Sequence, residues 1–346
     1  MVLNYVGERP AVENNAGNKA RRDIDRILAQ RGYHMLDNII ETRFDSTFDK
    51  VKYVLNTGTW KKIVRLCKVE GLDVIAQFPV YGNKLMRATL KELFDCNRMI
   101  FIIHDLDALR NFAGQSTSEE LDRLNRAQLL IVHNRKMHDK LVELGVKTPM
   151  VDLELFDYLL DAPPPVPSLE RNNKIIFAGN LSKSTFLRSI KEIDMRFALY
   201  GSGIVDEILN ANVEYKGSHP PEEIPYKLDG GFGLIWDGDS IDTCSGAFGA
   251  YLKLNNPHKL SLYIAAGLPV VTWRHAAIAD FILEHGIGLT VESLRDLPTA
   301  IGSLTDDRYR AMVECSARIQ KEIVAGRYTA RALARAEALL NQPSAH

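Results

Sequence analysis

Short apolar runs alternate with amphipathic segments along most of the chain. In the first half, the apolar runs lie at residues 2–6, 51–55, 74–78, 99–103 and 129–132. Segments with apolar residues at helical spacing lie at 20–31, 60–70, 84–94 and 136–144. Strands that are apolar throughout and separated by helices are typical of a parallel sheet covered on both faces. The first half is therefore predicted to be a layered α/β domain.

The same alternation restarts after a proline-rich segment. Four prolines in the five positions 163–167 favour an extended connector, because proline disrupts both helices and central strands. Beyond it, strand patterns lie at 174–178, 196–200, 213–217, 232–237, 268–272 and 288–291, and the pattern is helical after 304. The prediction is two Rossmann-like domains. Their expected bounds are 1–160 and 173–325, with a linker at 161–172 and a C-terminal helix at 326–346 that packs back on the first domain.

The tract Leu-Asn-Asn-Pro-His-Lys, which ends at Lys259, predicts the start of a helix. Asn255 or Asn256 is expected to cap the first turn, and Pro257 to take the first helical position. Free N–H groups and a partial positive charge at a helix start favour an anion, and His258 and Lys259 add donors. We expect a phosphate to bind at this point.

Three further polar clusters follow predicted strands of the second half, at 179–183, 201–203 and 215–219. Each cluster alone is more often a tight turn than a ligand site. Ligands of open parallel sheets bind at the carboxyl ends of the strands, however, and all of these clusters fall there. Together they predict a site for a nucleotide diphosphate, with Lys183 or Lys259 on its phosphates.

In the first half, His104 and Asp105 directly follow the apolar run at 99–103, so they are expected at the carboxyl end of that strand. A carboxylate there can act as a general base, and a histidine can bind a sugar hydroxyl or a phosphate. The alternative is that the aspartate only caps the helix that follows. The residues by themselves leave both interpretations open.

The composition is that of an ordinary globular protein of 346 residues, with 46% hydrophobic and 25% charged residues. A net charge of −1 without a basic block gives no support for nucleic-acid binding. The four cysteines form no C-x-x-C pair, which favours a reducing cytoplasm. Neither a signal peptide nor an apolar run long enough to span a bilayer is expected.

Two aspartate pairs match D-x-D, a pattern with which some enzymes hold a metal ion. They are Asp105 with Asp107, and Asp237 with Asp239. Such pairs are frequent by chance, so we predict no metal site. The helical segment at 318–340 carries three arginines at four-residue spacing, which favour a solvated face over an anionic membrane surface.

The tracts at 180–184, 199–203 and 266–269, and above all the one at 246–259, resemble bacterial GT-B glycosyltransferases. Within these the chain is most similar to the group that holds the glucosyltransferases extending O-glycans of serine-rich adhesins and galactofuranosyltransferases of surface polysaccharides. The resemblance runs from Gly7 to about Leu304. Residues 17–20 and the His104–Asp105 pair match the first half of the pattern more loosely.

This resemblance implies two Rossmann-like domains facing a central cleft and a UDP-sugar donor held mainly by the second domain. It implies a glycan or glycoprotein acceptor on the first domain, and neither a cofactor nor a metal. By position, the nucleotide would contact Gly179, Lys183 and Tyr215, and its diphosphate would lie on the tract from Asn255 to Lys259.

From the first domain, Gly17 and Asn18 would close on the donor. The chain has no E-x7-E pair at the position usual in retaining enzymes, so an inverting reaction is expected. Asp105 is the preferred base, His104 its neighbour in the site, and Glu13 the second choice.

The expected activity is therefore hexose transfer from a UDP-sugar, in the cytoplasm or at the inner face of the membrane. A sugar-nucleotide epimerase on the same fold is one alternative, and a non-catalytic partner of a transferase is another. A homo-oligomer is compatible with the sequence, which does not identify the sugar, the acceptor or the linkage.

Overall fold

The computed structural model describes residues 4–9, 16–41, 71–79, 98–110 and 117–342, with a few single positions between 46 and 96. The chain forms two compact units. One contains Met1–Glu154 with Tyr328–His346, and the other contains Leu155–Arg327. Each unit contains one six-stranded sheet in which all strands are parallel. The predicted α/β class with two Rossmann-like sheets is confirmed.

In its described residues the first unit has six strands in the order β2-β1-β3-β4-β5-β6. Its elements up to residue 152 are β1 (Asn4–Arg9), α1 (Ala16–Gln30), β2 (His34–Glu41), β3 (Val74–Phe78), β4 (Met99–Ile103), α2 (Asp107–Arg110), α3 (Thr117–Asn125), β5 (Leu129–Val132), α4 (Arg135–Glu143) and β6 (Met150–Asp152). The central strands β3, β4 and β5 are buried over their whole length, as the apolar runs predict. The expected strand at 51–55, the helices at 60–70 and 84–94, and Glu13 lie largely outside the described residues.

The second unit has the strand order β9-β8-β7-β10-β11-β12, which is that of the Rossmann fold. Its strands are β7 (Ile175–Ala178), β8 (Phe197–Tyr200), β9 (Val213–Tyr215), β10 (Phe232–Ile235), β11 (Val270–Trp273) and β12 (Gly288–Val291). Its helices are α5 (Gly246–Tyr251), α6 (His258–Ala265), α7 (Ala279–Glu284), α8 (Leu297–Gly302) and α9 (Asp306–Val324). Between β7 and β8 the chain forms a 3-10 segment, Thr185–Glu192.

The last helix, α10 (Arg327–Leu340), returns to the first unit. Arg335 at its exposed face donates to the Glu154 carboxylate at 2.7 Å and to the Asp152 carbonyl at 2.6 Å. Glu337 lies 3.7 Å from the Arg31 guanidinium. These contacts tie α10 to the edge strand β6 and to the end of α1.

The proline-rich segment lies within the second unit, because the two units divide before it, at Glu154 and Leu155. Gln320 of α9 donates to the Pro164 carbonyl at 3.4 Å. A Cβ placed on Gly267 would lie 2.9 Å from Pro167 Cδ, so this turn and the proline ring are already in contact. The segment is in neither a helix nor a strand, and it packs along the unit that follows it.

The two strands that the periodicity did not predict, β2 and β6, lie at the two edges of the first sheet. Edge strands are short or mixed in polarity, so their sequence pattern is weak. In the part of the chain that the structure describes, no helix combines the length and apolar character needed to cross a membrane.

Candidate functional site

In the second sheet the strand order reverses between β7 and β10. Connections leaving these two strands diverge, which opens a crevice at their carboxyl ends where ligands bind in folds of this kind. Gly179 follows β7, Asp237 follows the end of β10, and α6 carries Lys259 to the same place. The site is therefore built around this reversal point.

Tyr263 of α6 joins the two strands at the reversal point. The strand pairing recorded between β7 and β10 ends at Gly233 and Ile176. Beyond it, the Ala178 N–H donates to the Tyr263 hydroxyl at 2.8 Å, and the hydroxyl donates to the Leu234 carbonyl at 3.2 Å. Tyr263 is fully buried, and burial raises the pKa of its hydroxyl, so it stays protonated as this second bond requires. It fixes α6 to both strands.

The missing side chain of Gly233 leaves the space that the Tyr263 ring occupies. A Cβ on Gly233 would lie 2.2 Å from Tyr263 Cγ, far inside van der Waals contact. The glycine in the middle of β10 therefore has a packing reason, since only a bare backbone admits the ring. Lys259 lies one helical turn before Tyr263, so the same contact determines where the lysine stands.

Lys259 lies across the glycine that ends β7. A Cβ on Gly179 would be 3.2 Å from Lys259 Cε. The ammonium is 2.7 Å from Asp237 Oδ1 and 5.0 Å from the centre of the Phe177 ring. Both members of the ion pair remain partly exposed, at 18% for the lysine and 28% for the aspartate side chain. This accessible cation is the feature of the site most suited to an anion.

The start of α6 differs from the prediction. The helix begins at His258, and Pro257 takes the capping position with extended backbone (ψ 137°). Within the described residues no side chain caps this helix, because the expected caps Asn256 and Asn255 lie one and two positions before the capping position. Asn256 is buried, and Asn255 Oδ1 is buried without a hydrogen-bond partner among the described residues.

His258, the first residue of α6, has its ring centre 4.4 Å from that of Phe156. Ser261 in the next turn donates to the Phe156 carbonyl at 2.7 Å. These contacts with Phe156 hold the first turn of α6 in place. The backbone N–H groups of that turn remain the expected donors to an anion.

The loop after β8 adjoins Gly179, and the end of β9 adjoins the loop after β8. A Cβ on Gly201 (φ +131°) would fall 1.8 Å from the Gly179 carbonyl oxygen, so the loops after β7 and β8 are in direct backbone contact. Tyr215, whose ring is 40% exposed, donates from its hydroxyl to the Gly201 carbonyl at 3.0 Å. Lys183 has an exposed side chain, and its backbone N–H donates to Asn180 Oδ1 at 3.0 Å. The structure brings Gly179, Tyr215 and Lys259 to the same side of the second sheet, at the carboxyl ends of its strands.

In the first unit, His104 and Asp105 lie directly after β4, as predicted. His104 is 7% exposed, and its Nε2 lies 2.7 Å from Gln77 Oε1. Asp105 forms an ion pair with Arg110 of α2. Burial raises the pKa of the Asp105 carboxyl, and Arg110 opposes that rise. Sequence reasoning did not find Gln77, although a lone amide in the apolar strand Val-Ile-Ala-Gln-Phe is a signal of buried hydrogen bonding.

Gly17 and Asn18 lie in the first turn of α1, which begins at Ala16. The helix therefore begins four residues before the predicted start at residue 20. Lys19 is itself 3% exposed and pairs with Asp23 one turn later at 2.5 Å, and this i,i+4 ion pair belongs to the helix.

Three aspartates of the two D-x-D tracts bind other side chains of the protein. Asp237 pairs with Lys259, and Asp239 accepts from the Ser245 hydroxyl. Asp105 pairs with Arg110. Across the described ranges, no group of three or more histidine, cysteine or acidic side chains is placed to hold a metal ion.

Comparison with known families gives matches over both units. The profile described as "Glucosyltransferase 3-like, N-terminal domain" matches residues 6–155. The profile described as "Glucosyltransferase 3-like, C-terminal domain" matches residues 175–336.

Among individual proteins, the chain is 38% identical over 303 residues to the β-1,6-galactofuranosyltransferase WbbI of Escherichia coli K12, covering 80% of this chain and 86% of that one. It is 28% identical over 249 residues to Glucosyltransferase 3 of Streptococcus gordonii, covering 70% and 72%. The crystal structure of Anabaena HepE with UDP superposes with a TM-score of 0.61 at 13% identity, over 99% of this chain and all of that one. This last likeness shows the GT-B fold.

Proposed function

From the premise that this chain belongs to the glucosyltransferase 3-like family of glycosyltransferases, we propose that it transfers a hexose from a UDP-sugar to a hydroxyl of a glycan acceptor. The observation that carries the proposal is the placement of Lys259. Its ammonium stands at the reversal point of the second sheet, across a glycine and at the start of a helix.

The main requirement of such a transfer is stabilisation of the leaving group. As the bond between the anomeric carbon and the phosphate breaks, negative charge develops on the departing UDP. A fixed ammonium and the positive end of α6 stabilise that charge. The missing side chain at Gly179 leaves the space in which Lys259 lies across the end of β7. We propose that these groups take the place of a metal ion, and that the reaction inverts the anomeric centre.

The donor sugar is proposed from the relatives. The match at 38% identity is named a galactofuranosyltransferase, and the match at 28% identity a glucosyltransferase. UDP-galactofuranose is therefore our first candidate donor, ahead of UDP-glucose and UDP-galactose. The nucleotide is proposed to contact Tyr215, Lys183 and Gly179 of the second unit, as HepE, a protein of the same fold, was crystallised with UDP.

The acceptor is proposed to be a glycan or glycoprotein bound by the first unit. The four cysteines, all within the described residues, are free. This supports the proposed cytoplasmic location, because thiols persist in reducing compartments. A peripheral position at the membrane, and a homo-oligomer, are compatible with the proposal and do not carry it.

The relatives favour transfer over the alternatives. Both are named transferases, and Lys259 stands at the start of α6 at the reversal point of the sheet, where a non-catalytic partner would not require a cation. An epimerase converts the sugar nucleotide without an acceptor, so product analysis separates it from a transferase directly.

The test has two arms. Thermal unfolding with UDP and the three UDP-sugars should show an increase in melting temperature, since a ligand at 100 times its Kd stabilises by about 2.7 kcal/mol. UDP release should then require both a donor and a glycan acceptor. A folded protein that binds UDP but converts the sugar without an acceptor would contradict the proposal, and so would one that binds none of these nucleotides.

A further inference from the structure

Gln77 in the first unit has a defined amide orientation. Its Nε2 lies 3.1 Å from the Arg21 carbonyl oxygen and 2.8 Å from Asp25 Oδ1, both on α1. A carbonyl and a carboxylate only accept hydrogen bonds, so the group that faces them must be the NH2 of the amide. The opposite side of the amide, which faces His104, is therefore its carbonyl oxygen.

This orientation determines the tautomer of His104. The Gln77 oxygen can only accept, and it lies 2.7 Å from His104 Nε2. A neutral imidazole carries hydrogen on one nitrogen, which here must be Nε2. Nδ1 then has a lone pair and acts as an acceptor, so neutral His104 can take a hydroxyl proton but cannot donate to a phosphate at Nδ1.

The position of the ring is held as firmly as its tautomer. The His104 backbone N–H donates to the Phe78 carbonyl at 2.8 Å, next to Gln77 at the end of β3. Arg21 donates to the Gln77 and Pro79 carbonyls at 3.4 and 3.0 Å, which ties α1 to the same strand end. The strand order of the first sheet reverses between β1 and β3, so His104 lies beside that reversal point.

The charged groups near this pair are Asp25 and Arg21 on α1, and Asp105 and Arg110 after β4. Asp105 is bound by Arg110, which draws on the lone pairs that a general base needs. Asp25 is linked to the imidazole through the Gln77 amide. A carboxylate connected in this way favours a positive charge on the ring.

We propose that His104 accepts the proton of the acceptor hydroxyl at Nδ1, and that Gln77 and Asp25 are positioning residues that hold the ring in the required tautomer. This rests on the proposed transferase function. The hydroxyl oxygen forms a bond to the anomeric carbon, the bond from that carbon to the phosphate oxygen breaks, and its electron pair leaves with UDP. The proton moves to Nδ1, and the imidazolium keeps its Nε2–H bond to Gln77 until it returns the proton to water.

The first test is spectroscopic and needs no turnover. In the full chain labelled with 15N and 13C histidine, the nine histidines are measured at a pH where they are neutral, and His104 is identified as the resonance lost in His104→Asn. We expect the Nε2–H tautomer in the wild type and a shift towards Nδ1–H in Gln77→Met. A wild-type ring that carries hydrogen on Nδ1 overturns the proposal whatever the activity.

The second test separates binding from turnover. His104→Asn should lower kcat by about 100-fold to 10,000-fold with an unchanged Kd for UDP, and Gln77→Met should lower kcat by a smaller factor. Asp25→Asn, which can still accept from Gln77, should restore most of the turnover that Asp25→Ala loses. The matched control is His138→Asn, because His138 of the same unit pairs with Asp152 away from this network.

The outcomes distinguish this proposal from the transferase function. Turnover retained in His104→Asn overturns the assignment of the base and leaves the transferase activity in place. A wild type that transfers no sugar to any acceptor overturns the proposed function and this step with it, even with the expected tautomer.

Discussion

The two sheets of this protein present different chemistry at equivalent places. At the reversal point of the second sheet, an accessible ammonium, Lys259, lies among glycines whose backbone is bare. Beside the reversal point of the first sheet, His104 lies in a chain of buried hydrogen bonds through Gln77 to Asp25. Two parallel sheets thus support an accessible cation in one unit and a buried hydrogen-bonded network in the other.

The difference shows what each unit is suited to do. A diphosphate needs charge and close backbone approach, and the second unit supplies both. Proton transfer needs a group with a defined tautomer and a fixed direction, which buried hydrogen bonds provide. Each of the following predictions alters one side of this comparison.

The largest effect is expected for Gly233→Ala in the second unit. The new methyl group would overlap the Tyr263 ring, and overpacking in a dense core destabilises by up to about 3 kcal/mol. Urea unfolding should show this loss, together with weaker UDP binding because α6 must move. The control is Gly302→Ala, where a Cβ would meet no described atom within 4 Å. Equal stability of the two variants would contradict the packing role of Gly233.

Lys259→Ala should weaken UDP binding by about 1.5–3 kcal/mol, the range for a hydrogen bond to a charged group. Calorimetric titration measures this directly. Lys191→Ala, which removes an exposed lysine of the 3-10 segment, should leave the affinity as it is. Unchanged affinity in Lys259→Ala would remove the lysine from the site and with it the observation on which the proposed function depends.

Tyr263→Phe should lower the free energy of unfolding by about 1–3 kcal/mol, because the Ala178 N–H and the Leu234 carbonyl lose a buried partner. The ring itself still fits against Gly233. Denaturant titration of this variant beside Gly233→Ala separates the hydrogen bonds from the packing. A neutral result would mean that water replaces the hydroxyl.

Asp237→Asn should strengthen UDP binding by about 0.5–1 kcal/mol, because it removes one negative charge near the diphosphate in a water-like dielectric. The asparagine oxygen can still accept from Lys259. Titration calorimetry at two salt concentrations should show the gain shrinking at high salt. Weaker binding would instead mean that Asp237 serves mainly to hold the lysine in place.

The smallest effect concerns the first unit and the pH dependence of stability. Burial raises the pKa of the Asp105 carboxyl in the folded protein, so its contribution to stability is present at low pH and is lost as pH rises through the raised pKa. Asp105→Asn lacks this loss. The free energy of unfolding of the variant minus that of the wild type should therefore increase between pH 3 and about pH 7. A difference that does not change with pH would show that Arg110 fully offsets the burial.

Local pattern was sufficient for much of this protein. The order of strands and helices, the two parallel sheets, and the placement of Gly179, Tyr215 and Lys259 at strand ends follow from the spacing of apolar residues and from turn-forming glycines. These signals act over a few residues, so the sequence carries them directly. The resemblance in the tract ending at Lys259 identified the family from its residues, and the comparisons confirm it.

The tertiary structure alone decided which side chains meet. Asp237 pairs with Lys259, Gly233 admits the Tyr263 ring, and Gln77 sets the tautomer of His104. The expected asparagine caps of α6 failed for a local reason, since Pro257 itself occupies the capping position. The other pairings join elements that are separate in the chain, and they depend on strand order and register. Periodicity determines which face of an element is buried, but only the assembled sheet determines what that face touches.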